Sequence, residues 1–217
     1  MRFKNICYIY KQLKQQIMKT TLLVLFLALA SCSKNNDTLQ TPQEQLPQIT
    51  TIGANTAGCI INGKILIPKN GEQQFGGSLK YGLNINAGIN FNEPIIGDDY
   101  WQLEIANKKD VNGAGIILYI RNMENGDGDY LINQSNGELY DDGPNNNQII
   151  AGIRENGIDK TYWSSANSGT IKITRFDYLN GIYSGIFNVT LYNKDNPLET
   201  IQVTDGRFDI NVATLNQ

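Results

Sequence analysis

The sequence predicts an all-β protein: an antiparallel two-sheet sandwich of about nine or ten strands, with a flattened lipocalin-like barrel as the alternative closure. Three observations carry this. Apolar residues recur with period two from about residue 52 onward, turn-forming residues interrupt them every ten residues or so, and no window shows a convincing 3.6-residue period. A chain rich in Asn and carrying 21 Gly favours tight turns over helices.

Taken in order, residues 1–31 read as a lipoprotein signal peptide. The run Leu22 to Ala30 is nine residues long, well short of the roughly 20 that a membrane-spanning helix needs. It is preceded by basic residues and closed by Leu29-Ala30-Ser31-Cys32, small residues before a cysteine whose thiol is expected to carry lipid. Met18 is a second candidate start, followed at once by Lys19. The expected address is the cell envelope, with the protein anchored to the outer membrane through Cys32. Residues 32–51 contain two prolines, much amide and few large apolar residues, and are expected to form a flexible tether.

A single domain is expected over 52–217. In Cys59 to Ile67 the Asn62-Gly63 pair supplies the positive φ values of a type I′ hairpin turn, and Pro68 ends the pairing. Leu79, Tyr81, Leu83 and Ile85 alternate with polar or small residues, as do Trp101, Leu103 and Ile105. Ile116 to Ile120 is apolar on both faces, as a central strand should be. Residues 170–176, 182–192 and 200–212 read as a meander turned at Asn180-Gly181, with Gly185 where a neighbour comes close and Gly206 as a bulge that resets the alternation.

Charge and composition exclude several functions. With 18 Lys plus Arg against 21 Asp plus Glu and no basic block beyond the leader, nucleic acid is not an expected partner. The chain has no His, which removes the commonest general base and metal ligand. Cys59, left without a partner once Cys32 is lipidated, reads as a buried core thiol rather than a nucleophile. Ser184 has no His to activate it, and there is no Gly-x-Ser-x-Gly elbow. The acids Asp98, Asp99, Glu104, Asp127, Asp129, Asp177 and Asp209 show no spacing that selects a glycosidase pair. Asn125-Gly126-Asp127-Gly128-Asp129 fails the EF-hand pattern, since Tyr130 and Asn136 stand where Gly and Glu are required. With Asp141-Asp142 and Asn145-Asn146-Asn147 it could complete only an irregular site, and all these clusters are also ordinary turn sequences. No catalytic residue, cofactor or metal is expected.

The pieces resemble a family of uncharacterised Bacteroidota lipoproteins that share a domain of unknown function. The resemblance is carried by Gly53-Ala54-Asn55-Thr56 leading to Asn62-Gly63-Lys64, by residues 169–177 and 183–187, and by Ile201 to Asp209 with its Asp205-Gly206-Arg207-Phe208-Asp209. Leu66 stands where that family often has an aromatic residue. The resemblance implies lipidation and an all-β fold, and it carries over no catalytic residues.

The positive candidates are aromatic. Tyr100-Trp101 and Tyr162-Trp163 are candidate ligand contacts, able to stack on a sugar or peptide while Asn side chains supply hydrogen bonds. The expected function is a lipid-anchored, non-enzymatic binding or interaction module for a glycan, peptide or partner protein. The alternatives are a lipocalin-like carrier of a small apolar ligand and a structural subunit of a surface complex.

Overall fold

A computed structural model describes residues 45–73, 77–88 and 99–217. The expected signal segment, Cys32, most of the tether and Asp98 lie outside the described residues. The domain is all-β, with ten strands among the described residues: β1 (Thr56–Ile61), β2 (Lys64–Leu66), β3 (Leu83–Ala87), β4 (Tyr100–Ala106), β5 (Ala114–Arg121), β6 (Gly128–Ile132), β7 (Gln148–Glu155), β8 (Ile158–Asp177), β9 (Ile182–Asn193) and β10 (Thr200–Asn211). Short 3-10 turns at Met123–Asn125 and Tyr140–Asp142 are the helical elements among the described residues.

All strand pairs are antiparallel and belong to one sheet in the order β2-β1-β10-β9-β8-β7-β5-β4-β3, with β6 added beside β8. The sheet is strongly curled into a half-barrel. One hydrogen-bonded path therefore takes the place of two separate sheets, which is the barrel-like of the two closures considered. The ends of the path approach each other: Lys69, just past β2, forms a parallel bridge with Asn107, just past β4. Lys69 N donates to Ala106 O at 3.0 Å, and Ala106 N donates to Gly82 O at 2.7 Å. This junction is also why the strand expected from Leu79 begins only at Leu83: Gly82 lies against the Lys69 backbone, where an added Cβ would come within 2.5 Å.

The predicted hairpins form. Cys59 pairs with Leu66 and Ile61 with Lys64, leaving Asn62 and Gly63 as a two-residue loop at φ 46° and 79°, the type I′ geometry. In β10 the register shifts between Val203 and Gly206 with Asp205 at φ 53°, so Gly206 is part of a bulge and lies flat on the Phe187 ring. Strand β8 is longer than expected because both its halves find partners. Residues 158–163 pair with β7 and residues 169–173 with β6.

Side chains of alternate residues fill the inside of the curl. Trp101 on β4 is fully buried, with ring centroids 5.7 Å from Phe208 on β10 and 5.9 Å from Tyr183 on β9. These strands are far apart in the sheet order, so the contact crosses the interior. Cys59 is also fully buried, and burial pushes its thiol up to about 12, leaving it protonated and unreactive.

The N-terminal part of the domain is held by one carboxylate. Asp209 is 2% exposed and accepts hydrogen bonds from Thr50 Oγ1 (2.6 Å), Ser184 Oγ (2.7 Å), Gly53 N (2.8 Å), Ile52 N (3.0 Å) and Ala54 N (3.1 Å). Arg207 Nη1 donates to Pro47 O and Arg175 Nη1 to Thr51 O. The end of the expected tether is thus docked on β10, because the buried carboxylate requires donors. Burial alone would raise the Asp209 pKa; the bonds from Thr50, Ser184, Gly53 and Ala54 outweigh it and hold the carboxyl below its ordinary 3.8.

Asp209→Asn should cost about 1–3 kcal/mol near neutral pH, because an amide group then faces donors. A carboxyl with a depressed folded-state pKa contributes stability that is present above the ordinary value and lost as pH falls through the lowered one. The gap between wild type and Asp209→Asn in urea melts should therefore narrow below about pH 3.8 and stay constant from pH 5 to 7.

Candidate functional site

Four hairpin turns, β1–β2, β4–β5, β7–β8 and β9–β10, lie at the same end of the curled sheet, because the register sets the end of β1 beside the start of β10, the end of β9 beside the start of β8 and the end of β7 beside the start of β5. Between them opens a cavity of about 390 Å³. Its walls are aliphatic and aromatic, from Ile61, Leu66, Ala114, Ile153, Tyr162 and Ile201. Its rim is polar, with Asn62, Lys64, Asn107, Asn112 and Glu155. Pairing register explains the division: Ala114 stands opposite Ile153, in the same alternation as the buried pair Ile116 and Ala151 further in, so these side chains share the interior face.

Two charged contacts organise the rim. Lys64 Nζ on β2 donates to Glu155 Oε1 on β7 at 2.8 Å. These strands are not neighbours in the sheet, so the pair spans the mouth. The bond and charge of Lys64 hold the Glu155 carboxyl below its usual range. Glu199, at the end of the β9–β10 turn, accepts from Lys160 Nζ (2.6 Å), Tyr162 Oη (2.6 Å) and Asn193 Nδ2 (3.0 Å). Its carboxyl is lowered chiefly by the bonds from Lys160 and Tyr162. Tyr162 is pushed up to about 12, first by burial and then by its bond to the Glu199 carboxylate. The tyrosine therefore stays a neutral donor and its ring is fixed as a cavity wall.

The turns around the mouth also expose aliphatic residues. Val111 in β4–β5, Ile158 after β7–β8 and Leu198 in β9–β10 are 80%, 62% and 94% exposed. The opening is thus fringed by apolar tips as well as by charge.

The four aromatic candidates separate by strand alternation. Trp101 and Tyr162 face the interior, the first in the core and the second in the cavity wall. Tyr100 and Trp163 face the outside. There Tyr100 stacks on Tyr119 (5.7 Å, 12° between planes), with Tyr140 edge-on at 6.1 Å. Trp163 is covered by Gly137, where a Cβ would lie 2.5 Å from its ring. The β6–β7 connection, 133–147, folds over this outer face. It is pinned by Ser135 Oγ donating to Gln148 Oε1 and by Tyr119 Oη donating to Tyr140 O. The four residues do not share one surface, and only Tyr162 borders the mouth cavity.

Several of the candidate acids have structural partners. Glu104 accepts from Lys108, Asp177 from Arg175 and Asn180, and Asp127 from Phe176 N. Ser184 donates to Asp209. Among the described residues no group of three His, Cys, Asp or Glu side chains is placed to hold a metal ion. The chemistry available at the mouth is binding: apolar walls, neutral amide and phenol groups, and ion pairs that cancel each other's charge. Sequence reasoning missed this cavity because its walls come from six strands; the alternation at Ala114, Ile153 and Ile201 was the available signal.

No protein-family model, curated protein or solved structure matches this chain.

Trp101→Ala should destabilise the domain by about 3–5 kcal/mol in urea denaturation, the cost of an aromatic cavity in a packed core. Trp163→Ala, at a partly exposed position on the outer face, should cost clearly less. An equal loss in the two variants would mean that the outer layer contributes as much as the interior.

Proposed function

We propose that the protein is a lipid-anchored, non-enzymatic binding module of the cell envelope that carries a small, largely apolar ligand in the mouth of its curled sheet. The observation that carries this reading is the cavity of about 390 Å³ walled by Ile61, Leu66, Ala114, Ile153, Tyr162 and Ile201. Small-molecule pockets fall in the range of roughly 300–1,000 Å³ and recur in the mouths of β-barrels; here apolar walls are combined with a polar rim that also includes Lys69 and Asp110. Burial of an apolar group here would gain about 25 cal/mol per Å². The balanced pairs Lys64–Glu155 and Lys160–Glu199 favour a ligand without net charge.

The anchor is part of the same reading. The Leu29-Ala30-Ser31-Cys32 pattern supports lipid on Cys32, and the Bacteroidota lipoprotein resemblance points the same way. A tethered carrier with apolar tips at Val111, Ile158 and Leu198 is suited to receiving an apolar molecule from a neighbouring surface, since exposed aliphatic groups at an opening lower the cost of transfer.

Titration with an uncharged environment-sensitive fluorophore, N-phenyl-1-naphthylamine, tests the cavity. Wild type should enhance its emission saturably, and Ala114→Trp, which fills the cavity, should abolish the enhancement while leaving the melting curve close to wild type. Equal emission from both proteins, or none from wild type, would refute the carrier reading. For the anchor, Cys32→Ser should move the protein from the membrane to the soluble fraction; unchanged partition would refute lipidation at that residue.

A further inference from the structure

A second concavity lies on the flank of the domain, away from the mouth. It has a volume of about 420 Å³ and is formed where the end of β5, the 3-10 turn Met123–Asn125, β6 and the end of the β6–β7 connection meet. It joins two turn sequences that are about 20 residues apart: Asn125 to Asp129, and Asn146-Asn147.

The backbone around it is fixed by internal bonds. Asn147 Oδ1 accepts from Arg121 N at 2.9 Å while its Nδ2 donates to Leu131 O at 3.0 Å. Asn133 N donates to Asn147 O at 2.8 Å. Tyr130 Oη donates to Gly126 O at 2.7 Å, and Asp127 Oδ1 accepts Phe176 N at 2.6 Å. Against this frame, the side chains of Asn122, Asn125, Asp129 and Asn133 line the concavity and make no hydrogen bond within the described residues. Two further polar atoms in its lining residues, Arg121 Nε and Asn146 Oδ1, are buried without a partner. A bridging water or guest hydroxyl would remove that cost.

The charges select the guest. Arg121 on one side disfavours a bare cation, and Asp127 with Asp129 disfavours a bare anion. What remains complementary is a neutral group that donates and accepts at several closely spaced points. Carboxylates accept, the guanidinium donates, and amides do both; a ring of hydroxyls offers both at every position. We propose that this concavity is a saccharide site, separate from the mouth cavity, that takes a neutral hydroxyl-rich ring and holds it through Asp129, Asn125, Asn122 and Asn133.

The test is a titration of the protein with neutral hexoses, 6-deoxyhexoses and N-acetylhexosamines, followed by calorimetry and saturation-transfer NMR, with calcium and inorganic phosphate in parallel. At least one sugar should bind. Asp129→Ala and Asn125→Ala, both exposed positions whose side chains hold nothing else in place, should each weaken it by about tenfold without altering the melting curve. Ala114→Trp in the mouth should leave sugar binding unchanged, so failure here and failure of the carrier reading are separable. The proposal is overturned if no sugar in the set binds, if only calcium or phosphate binds, or if a sugar binds with unchanged affinity to Asp129→Ala.

Discussion

The curl of the sheet depends on one contact across its interior, the Trp101 ring against Phe208 and Tyr183. A sheet with this many strands has to bury one face, and no helix among the described residues is available to cover it. The remaining solution is for the sheet to cover itself. Bringing β4 to within ring contact of β9 and β10 does this, and each large aromatic buried in the contact contributes area that aliphatic side chains cannot match. Two glycines make the geometry possible. A Cβ at Gly185 would lie 2.7 Å from the Phe208 ring, and one at Gly206 would lie 2.5 Å from Phe187. The aromatic planes can therefore lie directly on the opposing backbone.

Where the aromatics sit decides where space remains. Trp101, Phe176, Tyr183 and Phe208 all lie toward the end of the sheet where β4 and β9 begin and β8 and β10 finish. The opposite end, at the hairpin turns, is walled mainly by aliphatic residues and by Ala114, with Tyr162 as its one large ring. The cavity is the volume left by that gradient in side-chain size along the strands. The same neighbourhood of β10 explains how the plugged end is closed. Phe208 points inward to Trp101, while the next residue, Asp209, points outward and gathers five donors from Ser184 and residues 50–54. One strand turn thus fixes both the interior packing and the chain that leads toward the tether.

Much of this was legible in the sequence. The Asn62-Gly63 hairpin, the 182–192 strand, the Gly206 bulge and the two-faced apolar strand Ile116 to Ile120 follow from local chemistry, because turn residues and alternation act over a few positions. What was not legible depends on partners distant in the chain. Asp209 reads as an ordinary polar residue until residues 155–159 positions earlier dock on it. Period two showed that Trp101 and Tyr100 point to opposite faces, but not which face the β6–β7 connection would cover. The choice between two sheets and one curled sheet turned on which strands pair across long sequence separations, and the meeting of the sheet's ends turned on the Lys69 bridge to Asn107, made by two single residues with no pattern around them. The cavity was hard to see for the same reason: apart from Tyr162, each wall residue is an unremarkable aliphatic in its own strand.

The abundance of Asn takes on meaning once the backbone is known. Six of the eight non-glycine residues described with positive φ are Asn, at 55, 62, 122, 156, 167 and 216, where a side chain able to bond locally lowers the cost of the left-handed region. Others, such as Asn107, Asn193 and Asn211, cap backbone N–H groups in turns. Composition is therefore mostly explained by the many turns that a ten-stranded sheet requires. Asn125 and Asn133 fit neither role: they have ordinary φ values and no side-chain partner within the described residues, yet they face the same flank concavity as Asp129. A polar side chain that the fold does not use, placed where others like it converge, is the residue of this composition that turn formation leaves unaccounted for. That convergence, more than the number of amides in the chain, is the argument for a ligand at this flank.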